Sequence, residues 1–206
     1  MIILYGHPES GHTYKVALTL ALAGIPHEYR WVDVFRPLEQ RSADFRTASR
    51  YGEIPVLADD GIPLAQSNAI LLHLAERHRT LGGEDSARLS MAREWLFWEA
   101  NRIGLSLPNL RHCLRFEASP APPALLDWLR ARLQLDLQRL EKEFSTCQWL
   151  LGAGPSIVDV ACFAYLCYDD IDLELGEFPR LRDWMTRMRC LPRWRHPHDL
   201  LREPPH

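Results

Sequence analysis

Three serines in this 206-residue chain stand where a helix is about to begin. Helix N-termini are also where proteins hold anions, because unpaired backbone N–H groups and the positive end of the helix dipole meet there. Ser10 precedes a stretch in which Tyr14, Ala17, Leu18, Ala21 and Leu22 recur at helical spacing, so its hydroxyl is an N-cap or a donor to a bound anion. Ser67, just after Gln66, precedes the stripe Ile70, Leu71, Leu74 and Ala75 and offers a hydroxyl, N–H groups and the dipole together, a set that suits a carboxylate. Ser156-Ile157-Val158-Asp159 has capping-box spacing, which reads as architecture. The five cysteines are an odd number without CxxC spacing, so neither a disulfide framework nor a zinc site is expected, and most read as apolar fillers. Nine histidines include no HExxH pair, and His196, His198 and His206 fall in a Pro-rich tail; no metal is assigned.

The elements that must position these residues differ between the two parts of the chain. Ile2-Ile3-Leu4-Tyr5 reads as a strand, and the helix from Ser10 stops at Gly24 and Pro26. A second strand over residues 27–34 should run parallel to the first, since a whole helix carries the crossover. A weaker helical stretch over 41–48 leads to Pro55-Val56-Leu57-Ala58 and Ile62-Pro63-Leu64-Ala65, which flank Asp59-Asp60-Gly61 as a hairpin. Ser67 caps the next helix, which ends before Gly82-Gly83, and the order is βαβαββα. Beyond this point the chain reads as helix alone, with long patterns over 88–115 and 125–144, a helix opened by Ser156, and a last one carrying Phe178, Leu181, Trp184, Met185 and Met188. The expected layout is an α/β domain over 1–79, a linker over 80–86 and an all-helical domain over 87–206.

Composition narrows the function classes. Hydrophobic residues make up 47% and charged residues 25%, as in an ordinary globular protein. The net charge of -3, with Lys and Arg scattered, gives no basic stripe for nucleic acid. No window is apolar enough for a membrane helix, and the opening apolar run is too short for a signal peptide, so a cytoplasmic location is expected.

Four segments, in order and at this spacing, resemble the glutathione transferases over essentially the whole chain. They are Ser10-Gly11-His12-Thr13-Tyr14-Lys15-Val16, Gly52-Glu53-Ile54-Pro55-Val56-Leu57, Gln66-Ser67-Asn68-Ala69-Ile70 and Ser156-Ile157-Val158-Asp159-Val160-Ala161. Bacterial members with a serine-type active-site segment, similar to the theta and nu classes, look closest. Three positions depart from the pattern: Ser49-Arg50 replaces the usual Asn-Pro, and His12 stands where similar sequences have Asn.

The resemblance implies a thioredoxin-like domain, a helical-bundle domain, a two-fold homodimer and glutathione as co-substrate, in a detoxifying transferase acting on small hydrophobic electrophiles. Glutathione-dependent disulfide reduction and a non-catalytic binding role are the alternatives. A free thiol titrates near ~8.5, and lowering that by about two units takes roughly 2.7 kcal/mol at ~1.36 kcal/mol per unit. A serine hydroxyl together with helix N–H groups and dipole reaches that size. Ser10 therefore carries the thiol-activating role by resemblance, with His12 in support through an imidazole that would titrate near neutral pH. Tyr5, at the end of the first strand, competes with Ser10, but reads better as a packed strand residue. Glu53, Ile54 and a cis Pro55 would meet the cysteinyl part, Gln66 and Ser67 the γ-glutamyl carboxylate, and Gln40 or Arg41 the glycyl carboxylate. Asn101 and Arg102 interrupt the aromatic run of Trp95-Leu96-Phe97-Trp98 on a helix that in this family lines the dimer interface and electrophile pocket.

Overall fold

The computed structural model describes residues 1–203; His206 lies outside them. β1 (Ile2–Gly6) alternates its side chains between two layers, as a strand must. Ile2 and Leu4 join the main core, while Tyr5 turns to a smaller cluster with Val32, Phe45 and Val56. α1 (Gly11–Ala23) follows and ends at Gly24, whose φ of 68° is the left-handed stop that glycine adopts without strain. β2 (Glu28–Trp31) then pairs parallel with β1, with Leu4 opposite Tyr29. The strand is shorter than the 27–34 run because Val32 leaves the ladder to cap the smaller cluster.

A 3-10 turn (Leu38–Gln40) and the short α2 (Ala43–Ala48), capped by Ser42, lead to β3 (Val56–Asp59) and β4 (Ile62–Ala65). The hairpin places Val56 opposite Ala65 and completes a mixed sheet of order β2-β1-β3-β4. α3 (Ser67–His78) packs beside α1 on one face of the sheet, and α2 supplies Phe45 to the other. This is the thioredoxin-like layout. Ser67 is the first helical residue and does not cap α3: Gln66 occupies the cap with φ of 69°, and its side chain makes no capping bond.

The remaining helices are α4 (Ser86–Asn101), α5 (Ile103–Arg115), α6 (Pro123–Glu143), α7 (Ile157–Phe163), α8 (Pro179–Arg189) and α9 (Pro197–Leu200). The single helical pattern over 88–115 is two helices, because Arg102 leaves helical geometry with φ of -119° and ψ of -106°. The Ser156 capping box forms, and burial raises the Asp159 carboxyl although Ser156, the Leu150 amide and the Trp184 indole all donate to it. α9 was not anticipated in the Pro-rich tail; Pro197 opens it, and the Tyr14 hydroxyl ties its approach to α1 by donating to the Arg195 carbonyl at 2.7 Å. One apolar core runs through both units, from Leu4 and Tyr14 to Leu96, Leu137 and Trp184. Only Cys162 and Cys167 are buried fillers; Cys113 and Cys147 are half-buried and Cys190 is exposed.

Candidate active site

Between the sheet's hairpin edge and α4 lies a cleft of about 240 Å³ lined by His12, Glu53, Ile54, Pro55, Gln66 and Ser67, together with Lys15, Asn68, Glu99 and Gly104. The Ile54–Pro55 bond is cis. Among the described residues, no hydrogen bond engages the Ile54 amide or carbonyl, so this backbone can pair with an extended ligand as a further strand would. Ser67 opens the 12-residue α3, and the Gln66 amide donates to the Glu53 carboxylate at 3.4 Å across the mouth. A small peptide with a carboxylate fits this donor set: helix N–H groups and a hydroxyl at one end, an open backbone edge at the other.

Ser10 caps α1 in extended geometry, φ -96° and ψ 106°, with its Oγ accepting from the Thr13 amide at 3.1 Å. A hydroxyl has one hydrogen besides its acceptor sites, so that bond leaves the Ser10 hydrogen available. Ser10 lines a second pocket of about 310 Å³ with Glu9, Val34, Phe35, Ile54, Pro108, Arg111, Phe116 and Tyr165. Ile54 belongs to both walls, so the two pockets adjoin at the start of α1. The second is largely apolar and aromatic, with the Phe35 and Phe116 rings 5.6 Å apart. Burial pushes the Tyr165 phenol up to about 12, so it stays neutral beside Ser10.

His12 departs from the expected titration near neutrality. Burial, reinforced by the Lys15 charge, brings its imidazole down to about 3, and its buried Nδ1 has no partner. It therefore faces the cleft as a neutral ring, packed edge-on to Tyr165 at 5.1 Å. Gly11 sits against the same tyrosine; a Cβ there would lie 2.5 Å from the ring.

Tyr5 lines neither pocket; its hydroxyl accepts from Arg30 at 3.1 Å and its ring packs on Phe45. Gln40 is exposed and Arg41 braces a loop, donating to the carbonyls of Val34, Arg36 and Gly52; neither lines the cleft. Asn101 and Arg102 are also outside both walls, and the Asn101 carbonyl accepts from Arg132.

Sequence reasoning missed the charged floor of the cleft. Lys15 donates to Glu99 at 2.8 Å and to Asn68 at 3.3 Å, and Asn68 donates to Glu99 at 2.8 Å and to the Leu96 carbonyl at 2.9 Å. The Lys15 and Glu99 side chains are 2% and 1% exposed. The signal was present: Leu89, Ala92, Leu96 and Glu99 form one buried stripe of α4, and a carboxylate on such a stripe must find a buried cation. Among the described residues, no three His, Cys, Asp or Glu side chains gather as a metal set.

The fold agrees with known proteins. Residues 10–77 match the family model of the glutathione S-transferase N-terminal domain, and residues 115–192 that of its C-terminal domain. The disulfide-bond oxidoreductase YfcG of Escherichia coli is 30% identical over 210 residues, covering 93% of this chain and 92% of that protein. A glutathione S-transferase of Pseudomonas fluorescens superposes with TM-score 0.78 at 31% identity, covering 93% and 96% of the two chains. A glutathione transferase of Burkholderia graminis, solved with two glutathione molecules bound per subunit, superposes with TM-score 0.80 at 26% identity, covering 93% and 85%. The chain belongs to the glutathione transferase family.

Proposed function

We propose that this protein is a glutathione transferase that binds glutathione in the cleft beside Pro55 and holds its thiol as thiolate at Ser10. The observation that carries the reading is the Ser10 hydroxyl, which caps the N-terminus of α1 while lining an apolar pocket that shares Ile54 with the peptide-like cleft. Ile54 would pair with the cysteinyl backbone, and Ser67, with Gln66 beside it, would take the γ-glutamyl carboxylate. Neutral His12 would offer a ring N–H toward the sulfur without adding a charge. The thiolate then attacks the electrophilic carbon of a small hydrophobic substrate in the second pocket, forming a C–S bond as the leaving group departs with its electron pair. Calorimetry with reduced glutathione tests the binding: a micromolar to millimolar affinity is expected, weakened by Ser67→Ala. No heat at millimolar glutathione from folded protein would move the reading to a non-catalytic role.

The adjoining pockets support a second reading, glutathione-dependent disulfide reduction. A thiolate at Ser10 would attack one sulfur of a disulfide lying across Ile54 and expel the other as thiolate. The likeness to the E. coli oxidoreductase and to a relative that binds two glutathione molecules per subunit favours testing it. Turnover of an activated aryl halide against turnover of a mixed disulfide separates the two. No described helix is long and apolar enough to cross a membrane, and a cytoplasmic homodimer is part of the proposal.

A further inference from the structure

The loop that presents Ser10 is held from the helical half of the molecule. Arg111, on α5, is 2% exposed in its side chain, yet its guanidinium is almost fully bonded. Nε and Nη2 donate to the Asp170 carboxylate at 2.7–2.9 Å, Nη2 also donates to the Glu9 carboxylate at 2.5 Å, and Nη1 donates to the Glu9 backbone carbonyl at 2.7 Å. The guanidinium carbon lies 3.9 Å from the centre of the Tyr168 ring, and the Tyr168 hydroxyl donates to the Pro8 carbonyl at 2.6 Å. Two successive carbonyls before Ser10 are thus fixed by side chains from more than 100 positions later in the chain. His198 closes the far side of Glu9 at 2.9 Å.

A buried ion pair is a poor source of net stability, since desolvation opposes most of its attraction, and apolar residues of the same volume often serve as well. What such a group supplies is a fixed geometry. Here the geometry fixed is the backbone entering Ser10, whose side-chain direction depends on that peptide.

We propose that Arg111, with Tyr168, is a positioning residue that orients Ser10 toward the glutathione sulfur. The proposal rests on the assignment of Ser10 as thiol donor. Arg111 lies outside the cleft that would hold glutathione, so its effect falls on the thiol and leaves affinity alone. It also forms part of the second pocket's wall, which links the helical half directly to the serine loop. A shift of a few tenths of an ångström at Ser10 lengthens a hydrogen bond whose worth depends on distance and angle.

The test is Arg111→Lys, which keeps the charge but not the forked contacts, alongside Tyr168→Phe, which removes a single donor to Pro8. Thiolate absorbance of bound glutathione against pH is paired with kcat and KM for a model electrophile and a mixed disulfide. In Arg111→Lys the bound thiol pKa should rise by about one unit, kcat should fall about tenfold, and glutathione affinity should stay within about twofold. Tyr168→Phe should move the same quantities in the same direction by less, and serves alone if Arg111→Lys does not fold. Placing either change in a Ser10→Ala background should add little, because both act through one hydroxyl. The proposal is overturned if the folded variants keep the wild-type thiol pKa while Ser10→Ala shifts it, or if their losses add in full to that of Ser10→Ala. If Ser10→Ala itself leaves the bound thiol unchanged, the serine assignment falls, and with it any role for Arg111 through Ser10.

Discussion

Ser10 accepts from the Thr13 amide, so its oxygen caps the start of α1 while its O–H remains a donor; capping and thiol donation use different parts of one group. Its neighbour His12 makes a second commitment. Burial and the Lys15 charge hold the imidazole near 3 in the folded state, against ~6.5 in an unfolded chain. Between those values the unfolded chain binds a proton that the folded one refuses, so this contribution to stability is complete above ~6.5 and is lost as pH falls toward 3. Burial lowers His7 as well, though Glu203, Glu9 and Asp33 oppose it, and its effect has the same sign. Denaturant unfolding at pH 7, 6 and 5 should therefore show stability falling as the pH drops, for His12 by about 0.7 kcal/mol from 7 to 6 and about 1.2 kcal/mol from 6 to 5, as the slope approaches ~1.4 kcal/mol per unit. His12→Asn should flatten the slope by roughly one proton; an unchanged slope would mean that His12 is not buried as a neutral ring.

Helices α1, α3 and α4 meet through Lys15, Asn68 and Glu99, one polar residue from each, inside an otherwise apolar junction. Removing one charge strands the other: Lys15→Met should cost about 3–5 kcal/mol, while Lys15→Met with Glu99→Gln should recover most of it. Thermal unfolding of the single and double variants checks this, and an unaffected single variant would show that the pair is solvated in solution. At this scale the sequence was readable where period and punctuation agreed, as in β1, α1, the Asp59-Asp60-Gly61 hairpin and the Ser156 capping box. It misled where tertiary contacts decide. The apolar pattern runs on through Arg102, and Gly104 and Pro108 beyond it lie inside α5 and so do not mark where the break falls, while Gln66 takes a positive-φ cap that propensity disfavours in a non-glycine residue. The residues of the cleft wall were named from motif order, but Lys15, Glu99 and Arg111 were not, since each is a charge whose partner lies on another element far along the chain.

Across the whole molecule, apolar surface left on α4 bears on assembly. Phe97 is 78% exposed and Met91 49%, and the half-buried Trp95 and Trp98 stack edge-on at 5.3 Å. If α4 faces a second copy, light scattering should give a dimer at tens of micromolar, and Phe97→Glu should shift it toward monomer by placing a charge in a desolvated interface. A wild-type monomer would contradict the homodimer. The molecule's two halves also converge on one atom: the sheet and α1 supply the Ser10 hydroxyl, while α5 and the segment after α7 hold the loop that carries it. The most direct test of that arrangement is the ultraviolet absorbance of the thiolate of bound glutathione, titrated with pH in wild type, Ser10→Ala and Tyr5→Phe. The predicted result is a thiol pKa about two units below ~8.5 in wild type and Tyr5→Phe, returned toward the free value in Ser10→Ala with glutathione still bound. A depressed thiol pKa that survives Ser10→Ala and disappears in Tyr5→Phe would contradict the account.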